Sequence, residues 1–242
     1  MQPPRDMIGP LSHIQPPPAN YAYPNGTTYV YNAEWAVWSA GTATIRMEPS
    51  GKEQHVTATA DSTGFAALLY KVHDRFQTSF AANSFCSLAI QKKTEEGTRR
   101  RDTEVHFDYA RRKGVLNEIN LNENQKKQAE HDIPGCVTDI FSGLFYLASL
   151  PLQPGSTFVF PLDDGAKTVD VHATVEARER IRTDAGTFST LRVRPEVNLG
   201  VLKNPGYAWI WYTEDAPRIP VRMRARMRWG TVTLTLQSFE KQ

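Results

Sequence analysis

Strict alternation of apolar and polar residues is the feature that most restricts the fold of this chain. In residues 220–230, PVRMRARMRWG, every second residue from Val221 to Trp229 is apolar, and the four residues between them are arginines. Such a period of two over nine residues is typical of a β-strand with one buried and one solvated face. Similar alternation occurs in residues 28–38, 169–177 and 230–239. The sequence therefore predicts a protein built mainly from strands.

Short turn-forming segments separate about eleven to thirteen candidate strands. The turns are predicted at residues 39–41, 95–97, 112–114, 162–165, 183–186 and 203–206. Short connections favour antiparallel neighbours, because parallel neighbours need long crossovers. No linker divides residues 26–242, and this length is within the range of one all-β domain. We therefore expect a single all-β domain over residues 26–242, folded as an open, curved antiparallel sheet or half-barrel.

Residues 1–25 are rich in proline and show no hydrophobic period. We interpret them as an extended leader. They lack the apolar region of a secretory signal, and no apolar run in the chain approaches the roughly 20 residues that span a bilayer. The residues alone are consistent with an exported protein whose signal has been removed and equally with a cytosolic protein.

One segment departs from the strand pattern. Residues 137–150, VTDIFSGLFYLASL, have apolar residues at steps of three and four, as an α-helix does. Thr138 or Asp139 is placed to cap its start, and Pro151 ends it. Because a helix that is apolar around most of its circumference is buried, we expect it on the concave side of the sheet. A second, shorter helix is predicted within residues 64–72.

Two roles are open for the buried helix. It either completes the core or forms one wall of an apolar ligand cavity whose other wall is the sheet. In the segment WIWY, alternation places Trp209 and Trp211 on one strand face and Ile210 and Tyr212 on the other. The candidate lining residues are Phe141, Leu144 and Phe145 from the helix and Trp35, Trp209 and Trp211 from strands.

The chain has two cysteines, Cys86 and Cys136. They form either one disulfide, which closes a loop of about fifty residues, or two buried thiols. In the chain-entropy model such a disulfide contributes about 4 kcal/mol of stability. Neither cysteine belongs to a C-x-x-C motif, which argues against a thioredoxin-like redox site.

Residue types that serve catalysis or metal binding are present but scattered. None of the six histidines has a partner at metal-ligand spacing. The sequence contains no nucleophile-elbow, phosphate-loop or dinucleotide-binding motif. We therefore expect a protein that is not an enzyme and that uses no metal or cofactor.

Basic residues cluster at 99–101, 111–113 and 222–228. These clusters are either the solvated face of the sheet, paired with acids such as Glu104 and Glu118, or a surface for anionic lipid headgroups. The isoelectric point of about 8.5 and the net charge of +2 do not indicate binding to nucleic acid, for which a value above about 9 is expected.

Six motifs, in order along the chain, give it a resemblance to a known family. They are YNAEWAVWSAGTATI, YKVHDRF, RRRDTEVHFDYARR, DIPGCVTDIFSGLFYLASLPL, AGTFSTLRVRP and WYTEDAPRIPVRM. Together they resemble domain-of-unknown-function family 3108, a group of bacterial envelope proteins, over about residues 26–240. That family is distantly similar to the half-barrel lipoprotein carriers LolA and LolB, which hold acyl chains in an apolar cavity. The resemblance implies an exported, periplasmic protein with an oxidised Cys86–Cys136 pair and no catalytic residues.

These observations favour a non-enzymatic envelope protein that binds or relays an apolar, lipid-like molecule between the sheet and the helix. Burial of acyl methylene groups, at about 0.8 kcal/mol each, would supply the affinity. The alternative is a scaffold or assembly protein that binds another envelope protein along an open sheet edge. A hydrolase is a third hypothesis.

Overall fold

The computed structural model describes residues 13–197, 207–227 and 230–241. These residues form fourteen β-strands in one sheet and two α-helices. Three parts of the sequence predictions lie outside the described residues: the first twelve residues of the leader, the turn at 203–206, and Arg228 and Trp229 of the arginine-rich strand.

Eight strands precede the second helix: β1 (Thr27–Trp35), β2 (Trp38–Ser50), β3 (Glu53–Ser62), β4 (His73–Ala81), β5 (Ser87–Glu96), β6 (Arg99–Asp108), β7 (Lys113–Asn120) and β8 (Gln125–Asp132). Six strands follow it: β9 (Thr157–Asp163), β10 (Thr168–Thr183), β11 (Gly186–Val197), β12 (Tyr207–Thr213), β13 (Pro220–Met227) and β14 (Gly230–Lys241). The helices are α1 (Gly64–Leu69), between β3 and β4, and α2 (Ile140–Ser149), between β8 and β9.

The sheet has the strand order β8-β7-β6-β5-β4-β3-β2-β1-β14-β13-β12-β11-β10-β9. Sequential antiparallel pairs build each half, and the antiparallel pair β1–β14 joins the halves. This confirms the predicted all-β antiparallel fold. The fourteen strands are one more than the upper end of the predicted range. Because Ala129 is the only apolar residue of β8, QKKQAEHD, alternation cannot reveal that strand.

The first hairpin turns earlier than the sequence predicts. β1 ends at Trp35, which pairs with Trp38 at the start of β2, so the turn consists of Ala36 and Val37. A two-residue turn does not interrupt the alternation of apolar and polar residues, and neither Ala36 nor Val37 is a usual turn former. The alternation therefore continues through the hairpin and hides the turn. The turn predicted at 39–41 is wrong. Gly41 instead lies inside β2, where a Cβ would come 2.0 Å from a backbone oxygen of β3.

The face of the sheet that contacts α2, here called the inner face, carries the core. On its central strands Tyr29, Tyr31 and Leu236 are at most 2% exposed. Every residue of α2 from Ser142 to Ser149 is also buried. These strand and helix residues belong to one apolar cluster, so α2 fills the concave side of the sheet as predicted.

Asp139 fixes the start of α2. Its Oδ1 accepts hydrogen bonds from the backbone N–H groups of Phe141 (2.8 Å) and Ser142 (3.3 Å), which are unsatisfied donors of the first turn. Its Oδ2 accepts hydrogen bonds from the hydroxyls of Thr78 on β4 (2.7 Å) and Ser87 on β5 (2.6 Å). Asp139 is only 1% exposed, so these four donors replace its hydration and attach the helix to two strands.

Side chains from the other half of the sheet bind the carbonyl groups of α2. The hydroxyl of Tyr212 on β12 donates to the carbonyl oxygen of Leu144 at 2.8 Å. Arg218, in the β12–β13 connection, donates through Nη1 to the carbonyls of Ala148 (3.0 Å) and Leu150 (2.9 Å). The end of α2 is therefore held by a cation, which suits the negative end of the helix dipole.

The sheet curls until its two edge strands meet at one point. His131 Nε2 on β8 lies 2.7 Å from Oδ2 of Asp163 on β9, whose side chain is fully buried. The backbone N–H of Thr138 donates to the Pro161 carbonyl (3.0 Å), and the Thr138 carbonyl accepts from the Asp163 N–H (2.7 Å). The segment that leads into α2 therefore also covers part of the β9 edge.

A disulfide joins Cys86 and Cys136, which are 50 residues apart and have a Cα–Cα distance of 5.0 Å. It connects the start of β5 to the segment between β8 and α2. In the same place the backbone N–H of Ser87 donates to the Val137 carbonyl at 2.9 Å. The disulfide thus links the same elements that the Asp139 carboxylate holds together.

We expect Asp139→Ala to lower the free energy of unfolding by about 2–4 kcal/mol, because it removes the helix cap and the hydrogen bonds that attach α2 to the Thr78 and Ser87 hydroxyls. Asp139→Asn keeps the shape and one acceptor, so its loss should be smaller. Urea denaturation followed by circular dichroism measures both variants.

Asp132→Ala is the matched control, because its side chain is 89% exposed and contacts Lys113 at the sheet edge. We expect this variant to unfold at nearly the same urea concentration as the wild type. Equal losses for the Asp132 and Asp139 variants would contradict the anchoring role of Asp139.

Candidate functional site

The candidate site lies at one end of the curved sheet. Because neighbouring strands are antiparallel, the β1–β2 turn, the β5–β6 turn and α1 are all at the same end, here called the α1 end. The β12–β13 connection, which holds the end of α2, lies at the opposite end. The helix therefore fills the sheet from the end that is remote from α1.

An apolar pocket with a volume of about 580 Å³ opens at the α1 end. Its walls come from the β1–β2 hairpin, α1 and the start of β14. The lining residues are Trp35, Ala36, Trp38, Ser39, Ala40, Phe65, Ala66, Leu69 and Gly230. None of them is charged, and the volume falls within the range of roughly 300–1,000 Å³ that is usual for small-molecule sites.

Trp35 is the predicted ligand-contact residue that lines this pocket. Residues 31, 33 and 35 of β1 lie on the same face of the sheet, and so do their partners Leu236, Leu234 and Val232 on β14. Because Tyr31 and Leu236 are buried on the inner face, the Trp35 ring also extends from that face. A Cβ on Gly230 would lie 2.3 Å from Nε1 of Trp35. Glycine at this position therefore leaves the space that the indole ring occupies.

The three helix residues predicted to face a ligand are packed in the core instead of lining the pocket. Leu144 and Phe145 are 7% and 1% exposed. Phe141 is partly buried, and its ring centroid is 6.0 Å from that of Phe76 on β4. The structure therefore does not bring these residues together with Trp35.

Trp209 and Trp211 lie on the outer face of the sheet, the face opposite to α2. Tyr212 directs its hydroxyl to α2, so the preceding Trp211 points away from the helix, as the alternation predicts. Trp211 is 5% exposed, and its Nε1–H donates to Oε2 of Glu179 at 2.7 Å. Neither tryptophan lines the pocket.

Charged residues surround Trp211 on this outer face. The guanidinium carbons of Arg222 and Arg224 lie 6.0 and 5.7 Å from its ring centroid, which is cation–π distance. Burial and the neighbouring Arg224 lower the pKa of Arg222. Arg192 pairs with Glu176 at 2.7 Å and also with a second acid of β10. Arg192 lies on β11, outside the predicted basic clusters, so these pairs do not decide between the two predictions for residues 222–228. In the other two clusters, Arg101 lies 3.9 Å from Glu118 and Arg111 lies 3.1 Å from Glu130.

Asp74 is a buried acid on the inner face, nearer to the α1 end than Phe76. It is 6% exposed, and its Oδ1 accepts a hydrogen bond from the Glu95 N–H at 3.1 Å. Burial and, after it, the nearby Glu96 carboxylate raise its pKa to about 6, against the opposing effects of the Glu95 N–H, His73 and Arg75. The interior at this end therefore disfavours negative charge.

Sequence reasoning missed most of the pocket wall. The alternation in residues 28–38 predicts one continuous strand through Trp38, whereas Trp38 starts β2 directly after the turn. Phe65, Ala66 and Leu69 belong to α1, which was predicted as a helix without a role. A usable signal was present: the segment GFAALLY is apolar on all sides but too short to be a core helix.

No group of three or more His, Cys, Asp or Glu side chains that could hold a metal ion occurs within residues 13–197, 207–227 and 230–241. Over the same three ranges, neither helix combines the length and the apolar character that a crossing of the membrane requires.

The family model described as "Protein of unknown function (DUF3108)" matches residues 30–237. The chain belongs to this family, which confirms the resemblance inferred from the six motifs. No curated protein matches the chain. The more distant similarity to LolA and LolB stays a prediction.

One solved structure with low sequence identity shares the fold, and two others superpose on this chain only loosely. A β-barrel-like protein of domain-of-unknown-function family DUF1849 from Brucella abortus is 10% identical, covers 96% of this chain and all of its own, and superposes with a TM-score of 0.61. A candidate exported protein with a YmcC-like fold from Bacteroides fragilis is 12% identical over 95% of this chain and all of its own, with a TM-score of 0.33. A candidate lipoprotein from Parabacteroides distasonis is 10% identical over 96% of this chain and all of its own, with a TM-score of 0.35. The last two superpositions are too loose to bear on the fold.

Asp74→Asn tests the electrostatics of the interior at the α1 end. The folded carboxyl holds its proton up to about pH 6, whereas its ordinary pKa is 3.8. The stability that this group contributes is therefore present below about pH 4 and is lost as the pH rises to 6. We expect the unfolding free energy of the variant, relative to the wild type, to rise by about 1–3 kcal/mol between pH 4 and pH 7.

Asparagine keeps the size of the side chain and an acceptor for the Glu95 N–H, so the variant removes only the charge. Urea titrations at several pH values measure the difference. A difference that does not change with pH would show that Asp74 is ionised in the folded protein at the same pH as in the unfolded chain.

Proposed function

We propose that this member of the DUF3108 family is a non-enzymatic envelope protein that binds an apolar, lipid-like molecule in the pocket at the α1 end. The observation that carries the proposal is the pocket itself, with a volume of about 580 Å³ and no charged side chain among the described residues that line it. Aromatic rings of Trp35, Trp38 and Phe65 form much of its wall. Such a wall binds hydrocarbon through burial of apolar area.

The chemistry of the pocket restricts what part of a ligand enters it. A charged group there would lose its hydration without a charged partner, which is costly. Methylene groups gain about 0.8 kcal/mol each when they leave water. An acyl or similar chain therefore occupies the pocket, while any polar head remains at the open mouth.

The proposed ligand site lies away from α2, unlike the site predicted from the sequence. The expected site lay between the helix and the sheet, but Leu144 and Phe145 are buried against their own core neighbours. In the proposed function the helix has the first of its two predicted roles, completing the core. The pocket uses the inner face beyond the helix, where Trp35 stands at the end of β1.

An envelope location fits the disulfide between Cys86 and Cys136. Disulfides persist in oxidising compartments such as the bacterial periplasm and are rare in the cytosol. We therefore propose that the protein is exported, and that its ligand comes from the envelope.

The scaffold alternative depends on an accessible sheet edge. Among the described strands, none pairs with the free side of β8. However, β8 is polar and carries Lys126 and Lys127, and lysine on an edge strand discourages the addition of another strand. The β9 edge is partly covered by Thr138. We therefore rank this alternative second; the hydrolase hypothesis stays a prediction.

Palmitate binding, measured by isothermal titration calorimetry, tests the proposal. Ala66 lines the pocket, whereas Ala67, the next residue of α1, does not. We expect Ala66→Phe to weaken palmitate binding at least about tenfold, because its ring displaces two or more methylene groups at about 0.8 kcal/mol each. Ala67→Phe makes the same chemical change outside the pocket and should leave the affinity within about twofold.

Circular dichroism of both variants shows whether the fold is kept. The proposal fails if the wild-type protein binds neither palmitate nor hexadecanol. It also fails if Ala66→Phe and Ala67→Phe, both folded, bind palmitate equally well.

A further inference from the structure

The most exposed large apolar side chains of the described residues are concentrated at the α1 end. We define the apolar rim as Val37, Trp38, Phe65, Leu68, Leu69 and Tyr70. Val37 and Leu68 are 83% and 84% exposed, and Trp38 is 74% exposed. The rim is continuous, because α1 packs against β2 and the Thr63 N–H at its start donates to the Ala40 carbonyl at 3.0 Å.

The fold does not need these side chains for its core. None of the six residues of α1 is buried, although five of them are apolar and three are large. A contiguous apolar surface of this kind on a folded protein marks a site that another molecule covers. Only part of the rim lines the pocket: Val37, Leu68 and Tyr70 face elsewhere.

Cationic side chains flank the rim. A Cβ on Gly97 would lie 2.9 Å from the Tyr70 ring, so the β5–β6 turn lies directly against the rim. Arg99 and Arg100 follow this turn, and Lys71 follows Tyr70. The side chains of Lys71 and Arg100 are 59% and 60% exposed.

Two acids share this region. Glu95 lies 3.4 Å from Lys71 and 4.0 Å from Arg100, and Glu96 is its neighbour in β5. Lys71, Arg99 and Arg100 outnumber these two acids by one, so the residues that border the rim carry a net positive charge. Arg101, the next residue of β6, lies 3.9 Å from Glu118 and adds nothing to this balance.

We propose that the apolar rim inserts into the surface of an anionic phospholipid bilayer. Aromatic and aliphatic side chains with adjacent lysine and arginine match the boundary between acyl chains and anionic headgroups. The rim consists of the tips of a two-residue turn and a short helix, a shape suited to insertion among lipids. In this position the mouth of the pocket faces the bilayer.

Vesicle flotation measures the proposed contact. Vesicles of phosphatidylglycerol and phosphatidylethanolamine are compared with vesicles of phosphatidylcholine, and we expect the anionic vesicles to bind more of the wild-type protein. High salt should weaken this binding, because it screens the cationic flank. The double variant Val37→Asp/Leu68→Asp should partition at least about tenfold less, because two charges enter the apolar layer.

Val159→Asp is the control: Val159 is 38% exposed on β9, away from the rim, and this variant should bind vesicles as the wild type does. The palmitate affinity of Val37→Asp/Leu68→Asp should stay within about twofold, because neither residue lines the pocket. The vesicle measurement and the palmitate measurement therefore test the two proposals separately.

Three results would overturn the proposal. One is wild-type protein that floats with neither kind of vesicle. Another is a folded Val37→Asp/Leu68→Asp variant that binds anionic vesicles as tightly as the wild type. The third is a wild-type dimer, seen by analytical ultracentrifugation, that this variant converts to a monomer, because a second copy of the chain would then cover the rim.

Discussion

The buried carboxylate of Asp139 is the interaction on which the arrangement of this fold depends. A negative charge in the interior is unfavourable unless hydrogen bonds replace its hydration, and four donors from α2, β4 and β5 do so here. The same region holds the Cys86–Cys136 disulfide and the Thr138 bridge to β9. Asp139 thereby sets the position of the helix against β4 and β5, next to the disulfide and to the Thr138 bridge that covers part of β9.

The position of α2 decides where free space remains. Arg218 and Tyr212 hold the helix toward the end remote from α1, and its side chains fill that part of the concave side. Beyond the helix, the sheet continues to Trp35 and the first hairpin, where the apolar pocket opens. A helix at one end and a pocket at the other give the protein a stable core and, in the proposed function, a separate place for a ligand.

Much of this architecture could be predicted from the sequence. The physical basis of those predictions also explains why some elements were missed. Alternation reports which face of a strand is buried, so it predicted the antiparallel sheet and the opposite faces of Trp211 and Tyr212. It cannot report a polar edge strand such as β8, or a two-residue turn that keeps the period. The apolar pattern of α2 predicted its burial, but the pocket is lined jointly by Trp35 and α1, which are distant in sequence.

In the proposed function an apolar ligand enters at the α1 end and does not pass beneath α2. Photo-crosslinking with a palmitate that carries a diazirine on its terminal carbons tests this most directly, with labelled peptides identified by mass spectrometry. The account predicts labels within residues 35–40 and 64–70. Labels confined to residues 140–150 would contradict it, because the chain would then lie against the helix.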